Sequence, residues 1–139
     1  AQVVETTGGK VLAGVFGEEK YGADHYFTKL ENCTLEVNNN GNGIFSTGAV
    51  INVKDSTGKV IETYTVAVTN DLNGDGVSDS NDTSAISIVG TGLGVFEEAY
   101  LSVAADMNGD NIIDSGDSKN SNMVAVGVAV VDYVNRTIA

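Results

Sequence analysis

The sequence predicts an α+β protein built from two modules in tandem. Residues 1–69 alternate apolar and polar positions as strands do, which predicts a small β-rich, β-sandwich-like module with one short helix. From residue 70 onward, loops rich in Asp, Asn and Gly separate helix-like segments, which predicts an all-α module over residues 70–139. A twelve-residue segment occurs twice in this second half, so we expect two loop–helix units with a connecting helix between them.

The elements of the first module follow from local patterns. The segment 22–32 predicts a short helix capped by Asp24, with Phe27 and Leu30 on its inward face. The turn 55–58 has the composition of a hairpin connection. Alternation and β-branched residues predict strands over 10–17, 33–37, 48–55 and 59–69.

The charge balance excludes several kinds of partner. Lys and Arg number 7 against 19 Asp and Glu, a net charge of −12, whereas nucleic acids and anionic membranes attract basic surfaces. No apolar run reaches the roughly 18–20 residues that cross a bilayer. The acidic balance fits a secreted protein or one that binds cations. The absence of an initiating Met and of a signal peptide predicts a piece of a longer precursor.

The repeated segment covers residues 71–82, "DLNGDGVSDSND", and residues 106–117, "DMNGDNIIDSGD", at an offset of 35. Seven of the twelve positions are identical, including all four aspartates of the first copy. A single acidic turn is common on protein surfaces. Two turns that match in spacing indicate a duplicated unit with a shared purpose.

Both copies have the oxygen-ligand spacing of a calcium loop, with ligands at positions 1, 3, 5, 7, 9 and 12. Position 7 contributes its backbone carbonyl, so an apolar side chain is allowed there. A solvated acidic turn is the alternative, and magnesium is the rival ion, although six or seven protein oxygens favour calcium. We expect two calcium ions, held by Asp71, Asn73, Asp75, Val77, Asp79 and Asp82 in the first loop and by Asp106, Asn108, Asp110, Ile112, Asp114 and Asp117 in the second.

The flanking segments differ from an ordinary helix–loop–helix calcium site. A strand pattern, not a helix, enters the first loop, and both loops close with Asp where Glu is usual. Helices are predicted after the loops, over 82–90 and 117–134. A connecting helix is predicted over 95–106, with an inward face of Phe96, Tyr100, Val103 and Ala104.

Duplicated calcium loop–helix units without an entering helix, at this spacing, resemble a dockerin. The resemblance covers about residues 70–134, and the preceding half is similar to the β-rich X modules that precede some dockerins. It implies an extracellular module of a polysaccharide-degrading system that binds a cohesin module of a scaffoldin and so attaches an enzyme or adhesin to a cellulosome-like complex. Ser78 departs from the usual apolar residue at position 8 of the loop. The cohesin contacts implied are Ser80, Asn81, Ile88, Ser115, Gly116 and Met123, for which a core or helix-start position is the alternative.

The chain is therefore expected to be a non-catalytic, calcium-dependent adaptor, monomeric when unbound. The alternative is a secreted calcium-stabilised structural module, such as an adhesin tail, without a cohesin partner. An enzyme fragment is disfavoured, because the sole histidine, His25, has no nucleophile or carboxylate in a recognisable catalytic motif beside it.

Overall fold

The structure, a computed structural model, describes residues 2–6, 9–15, 32–38, 46–74, 80–90, 98–108, 112–132 and 137–138, together with Gly92, Gly94, Phe96 and Asp110. Within this part of the chain there are seven strands and three short helices. They are β1 (Gln2–Thr6), β2 (Gly9–Ala13), β3 (Thr34–Asn38), β4 (Val50–Lys54), β5 (Val60–Val66), α1 (Ser80–Gly90), α2 (Ala99–Ala105), α3 (Ser115–Ala125), β6 (Val131–Asp132) and β7 (Thr137–Ile138).

The first five strands form one mixed sheet in the order β1-β2-β5-β4-β3. Strands β2 and β5 are parallel, and the other neighbours are antiparallel. The hairpin predicted at 55–58 is confirmed: the Gly58 N–H donates to the Asp55 carbonyl at 3.0 Å, and the Asp55 carboxylate accepts the Thr57 N–H at 2.9 Å. Gly58 has a φ of 85°, which a residue without Cβ adopts at little cost.

The sheet buries apolar side chains on both faces. Leu12, Ile51 and Val66 belong to one buried cluster. Val11 and Ala13 point to the opposite face, because side chains alternate along a strand, and they share a second cluster with Val103 and Ala104 of α2. The connecting helix therefore packs directly on the sheet.

The predicted fold class is wrong in two respects. The β-rich part is a single five-stranded sheet and not a sandwich. The second half is not an all-α module, because α2 completes the core of the sheet and because β6 and β7 pair as a second, antiparallel sheet. The described part of the chain is mostly β with a small helical part. Where the chain divides into domains stays a prediction.

The helix predicted over 117–134 ends early for a local reason. Gly127 has a φ of 81°, its N–H donates to the Val124 carbonyl at 3.1 Å, and the Val128 N–H donates to the Met123 carbonyl at 3.0 Å. These two bonds are the Schellman arrangement that closes a helix at a glycine. The valine-rich run beyond it then suits a strand better than a helix, and β6 begins at Val131.

Some predictions lie outside the described residues. The predicted helix over 22–32 does so except for its last residue, and so do His25 and residues 75–79 of the first loop. Among the described residues, every helix is too short for a membrane span.

Helices α1 and α3 are the two repeats of one unit. Each has 11 residues and begins at position 10 of its loop, at Ser80 and at Ser115. Two hydroxyl pairs join them: Thr83 Oγ1 lies 2.7 Å from Ser121 Oγ, and Ser87 Oγ lies 2.8 Å from Ser118 Oγ. The residue numbers rise in one helix as they fall in the other, so the two helices pack antiparallel.

Each helix of the pair contacts the residue that precedes the loop of the other repeat. This contact is apolar for α1 and polar for α3. Ile86 of α1 shares a buried cluster with Ala105, the residue before the second loop. The offset of 35 converts these two positions to Ser121 and Asn70, where the Ser121 hydroxyl donates to Asn70 Oδ1 at 2.7 Å. Since that bond uses the single hydroxyl proton of Ser121, Thr83 must be the donor in its own bond to Ser121.

Replacing Ser121 with Ala is expected to cost about 1–3 kcal/mol of unfolding free energy, because the buried Thr83 and Asn70 lose the hydroxyl that joins them. Urea denaturation measures this. The control is Ser84→Ala, because Ser84 is exposed on α1 and its hydroxyl donates to the Ser80 carbonyl of the same helix at 3.3 Å, so a change within about 0.5 kcal/mol is expected. Equal effects of the two substitutions would contradict a stabilising role of the buried hydrogen bonds that join Thr83, Ser121 and Asn70.

Candidate metal centre

The closing aspartates of the two loops, Asp82 and Asp117, are fully buried. Each accepts the backbone N–H of position 2 of its own loop: Leu72 N–H to Asp82 Oδ1 and Met107 N–H to Asp117 Oδ1, both at 2.8 Å. The bond draws the start of each helix back onto the start of its loop. The duplication seen in the sequence is thus repeated in the hydrogen bonding.

The second loop gathers three carboxylates around one point. Asp106, Asp110 and Asp117 each place one oxygen so that all three lie within 4.8 Å of one another. Calcium binds oxygens at 2.3–2.6 Å, so ligands on opposite sides of one ion are separated by up to about 5 Å. The three carboxylates could therefore hold one metal ion, and oxygen-only donors suit a hard cation.

Local hydrogen bonds hold the second loop in this shape. Asp114 caps α3 by accepting the Gly116 N–H at 2.9 Å, and Asp117 Oδ2 accepts the Asp114 N–H at 3.0 Å. Asp110 accepts the Ile112 N–H at 2.9 Å. A carboxylate oxygen has two lone pairs, so these bonds orient the oxygens and leave capacity for an ion.

Two further predicted ligands of the second loop, Asn108 and Ile112, are exposed, and Asp114 is half-buried. Asn108 is exposed, and its Oδ1 accepts the Asp110 N–H at 3.2 Å. The Ile112 side chain is 59% exposed, which is unusual for isoleucine. An apolar side chain at this surface position is explained if its backbone carbonyl, and not its side chain, is what the loop requires.

The first loop begins in a turn against the sheet. The Asp71 N–H donates to the Val68 carbonyl at 3.0 Å, and Asn70 in between has a φ of 65°. Asn tolerates this left-handed conformation better than most residues. This turn connects the segment after β5 to the loop. Asn73 is next in the loop, and the predicted ligands Asp75, Val77 and Asp79 lie outside the described residues.

Burial raises the pKa of the Asp117 carboxyl above its ordinary value. The N–H groups of Asp114 and Met107 oppose this by stabilising the charged form, while the neighbouring Asp106 and Asp114 carboxylates raise the pKa further. A buried carboxylate beside two others is costly in the absence of a cation. A bound cation would remove that cost.

Calcium binding is expected to release a proton from Asp117 when the pH lies below the raised pKa of this carboxyl in the calcium-free fold. In the calcium-free protein, the proton on Asp117 stabilises the folded state below the unfolded pKa of about 3.9, and this contribution is lost as the pH rises through the higher folded pKa. Calcium needs the carboxylate, so its affinity should fall as the pH falls through the same window. Calorimetry in two buffers of different ionisation enthalpy measures the protons released. Identical heats in both buffers would contradict the prediction.

The residues predicted to contact a partner lie on the helix pair. Ser80, Asn81 and Ser115 are exposed, and Gly116 and Met123 are half-buried. Ile88 is 53% exposed on α1, so it is not the core residue that the alternative required. The antiparallel packing sets Ile88 level with Ser115 and Gly116, and sets Met123 level with Ser80 and Asn81.

Sequence reasoning missed two features of this centre. Thr47 contacts Asp71 across 24 residues, and no local pattern marks so distant a pairing. The polar contact of Asn70 with Ser121 could have been found, because the offset of 35 aligns this pair with Ala105 and Ile86. A polar pair in one repeat opposite an apolar pair in the other is a usable signal.

Comparison of the chain with family models, with curated proteins and with solved structures gave no match.

Proposed function

We propose that the chain is a non-catalytic, calcium-dependent protein–protein adaptor of the dockerin kind, which binds a cohesin module. The observation that supports this best is the bond from the amide of position 2 to the closing aspartate, which recurs at 2.8 Å in both repeats. The sequence repeat alone allows two unrelated acidic turns. Equal hydrogen bonding in both copies favours two ion sites of one design.

The proposed mechanism has two steps. Two calcium ions neutralise the crowded carboxylates of the loops and hold the starts of α1 and α3, because each closing aspartate lies in the first turn of its helix. The ordered helix pair then presents a preformed surface, so the partner binds without the entropic cost of ordering it. An oxygen-only site of this kind supplies binding and rigidity.

The helix pair offers two candidate docking patches related by the internal repeat. The first patch combines Ile88 with Ser115 and Gly116, and the second combines Met123 with Ser80 and Asn81. Each patch combines an apolar residue further along the helix of one repeat with the first two residues of the helix of the other repeat. Ile88 is the more exposed of the two apolar residues, so we propose that the first patch makes the main contact.

The test is calorimetry of the whole chain against a panel of cohesin modules, with calcium and with chelator. We expect binding that requires calcium and weakens at least about 30-fold, or about 2 kcal/mol, in Ile88→Asp, as is usual for a central apolar contact. Ile61→Asp is the matched control, because Ile61 is also an isoleucine and is 52% exposed, but lies in β5. Met123→Asp tests the second patch.

The outcomes separate the candidate functions. Calcium-dependent folding with no cohesin bound would replace the adaptor with a calcium-stabilised structural module of a secreted protein. Equal weakening by Ile88→Asp and Ile61→Asp would place the interface away from the helix pair. Extracellular localisation and a scaffoldin partner belong to the proposal.

A further inference from the structure

The sheet half of the chain reaches the first loop through one tight turn. The Ala49 N–H donates to the Ser46 carbonyl at 3.1 Å, and Gly48 has a φ of 94°. Thr47 does not have a positive φ, so the turn is of type II. The Thr47 hydroxyl accepts the Val68 N–H at 2.9 Å and donates to the Val68 carbonyl at 3.2 Å, which fixes the turn to the segment after β5.

This turn holds the first proposed ligand of the first loop. The Thr47 N–H donates to Asp71 Oδ2 at 2.9 Å, and the Gly74 N–H donates to Asp71 Oδ1 at 3.1 Å. Asp71 is fully buried, so the carboxylate has one orientation and both of its oxygens have a partner. Each oxygen keeps a second lone pair for an ion.

The fit between the turn and the loop is close. A Cβ at Gly74 would lie 2.8 Å from the Thr47 carbonyl oxygen, and Gly74 has a φ of 76°. The loop can approach the turn only because this position has no side chain. Thr47, Gly48, Gly74 and Tyr100 also line one surface recess, which places the turn, the loop and α2 side by side.

We propose that Thr47 is a positioning residue for the first calcium site and that the sheet half of the chain thereby sets the affinity of this site. The inference rests on the proposed function, since it assumes that Asp71 binds calcium. Groups that orient metal ligands from behind are typically worth 10–100-fold in metal affinity. The second loop has its own supports in α3, so only one of the two sites should depend on Thr47.

Thr47→Pro removes the N–H, and Thr47→Val, which loses the hydroxyl bonds to Val68 but keeps the N–H and should keep the affinity, is compared with it. Proline is common at the second position of a type II turn, so the turn is retained, while the donor is removed and the ring occupies its direction. The assay is calorimetric titration of the whole chain with calcium, in the native sequence and in Asp110→Asn, which weakens the second site. We expect the first site to bind about 10–100-fold more weakly in Thr47→Pro and the second site to keep its affinity.

Two matched variants isolate the cause. Thr47→Ser keeps the hydroxyl and the N–H, and it should keep the affinity. Ser46→Ala removes the neighbouring buried hydroxyl, which has no hydrogen-bond partner among the described residues, and it should also leave both sites unchanged. A purely structural role of the turn would lower the stability in chelator without changing one site selectively.

The outcomes distinguish this inference from the proposed function. If the native chain binds no calcium, the proposed function fails. If it binds two ions and Thr47→Pro binds both with native affinity, the inference alone is overturned. If Thr47→Pro does not fold, Gly74→Ala decides: its Cβ would meet the Thr47 carbonyl oxygen at 2.8 Å and push the loop off the turn, and unchanged affinity of the first site would equally overturn the inference.

Discussion

A chelator is expected to lower the melting temperature of this protein by about 15 °C. Each proposed site would add about 2.7 kcal/mol when free calcium exceeds its dissociation constant 100-fold, so two sites would add about 5 kcal/mol. One kcal/mol corresponds to a few degrees for a chain of this length. The burial of Asp71, Asp82, Asp106 and Asp117 makes the dependence strong, because removal of the ions leaves their charges uncompensated. Differential scanning calorimetry in calcium and in chelator measures the shift.

The double variant Asp82→Asn, Asp117→Asn is the critical comparison. Asparagine keeps an oxygen for the Leu72 and Met107 N–H groups but removes the charge that calcium needs. The melting temperature of the double variant should change little when chelator is added. Asp55→Asn changes a half-buried aspartate of the β4–β5 turn, away from both loops, and should respond as the native chain does. A full chelator response in the double variant would show that calcium acts elsewhere.

Gly90→Ala is expected to destabilise the protein by about 1–3 kcal/mol. A Cβ at this last residue of α1 would lie 2.7 Å from the Asp114 carbonyl oxygen and 3.0 Å from its carbon. These are backbone atoms at the start of α3, so they can move only if the helices separate, and overpacking of this kind costs about that much. Helix propensity alone predicts the opposite sign, a gain of up to about 1 kcal/mol.

The sign of the effect therefore tests the helix packing. Gly94→Ala is the control, because the nearest atom to its Cβ would be a side-chain methyl of Ile88 at 3.0 Å, which can move. We expect little change there. Since Asp114 is also a proposed ligand, Gly90→Ala should weaken calcium binding at the second loop as well. Denaturation in calcium and in chelator measures both effects, and a stabilised Gly90→Ala would contradict the packing.

Local patterns predicted the elements that local chemistry determines. Alternation located β2, β3, β4 and β5, and the turn residues around Gly58 located the hairpin. The loop repeat predicted helices from residues 82 and 117, two residues after the observed starts of α1 and α3. The single sheet, in place of a sandwich, depends on which strands pair, and above all on the parallel contact of β2 with β5. Such pairing is long-range and leaves no mark in a short window.

The errors in the second half have a different cause. The run after Met123 is apolar, and its length favoured one continuous helix over the glycine within it. Gly127 is the residue that ends α3, so the signal for the correct boundary was present in the sequence. The packing of α2 on the sheet could not be predicted in this way, because Val103 and Ala104 pack with Val11, which is far from them in the sequence.

The most direct test of the central claim is the number of calcium ions that one chain binds. Native mass spectrometry of the decalcified chain titrated with calcium is expected to show two ions per chain, one in Asp82→Asn or in Asp117→Asn, and none in the double variant. Both closing aspartates are buried with the same amide bond at 2.8 Å, so both repeats should contribute. A native chain that binds no calcium, or that keeps both ions in the double variant, would contradict the claim.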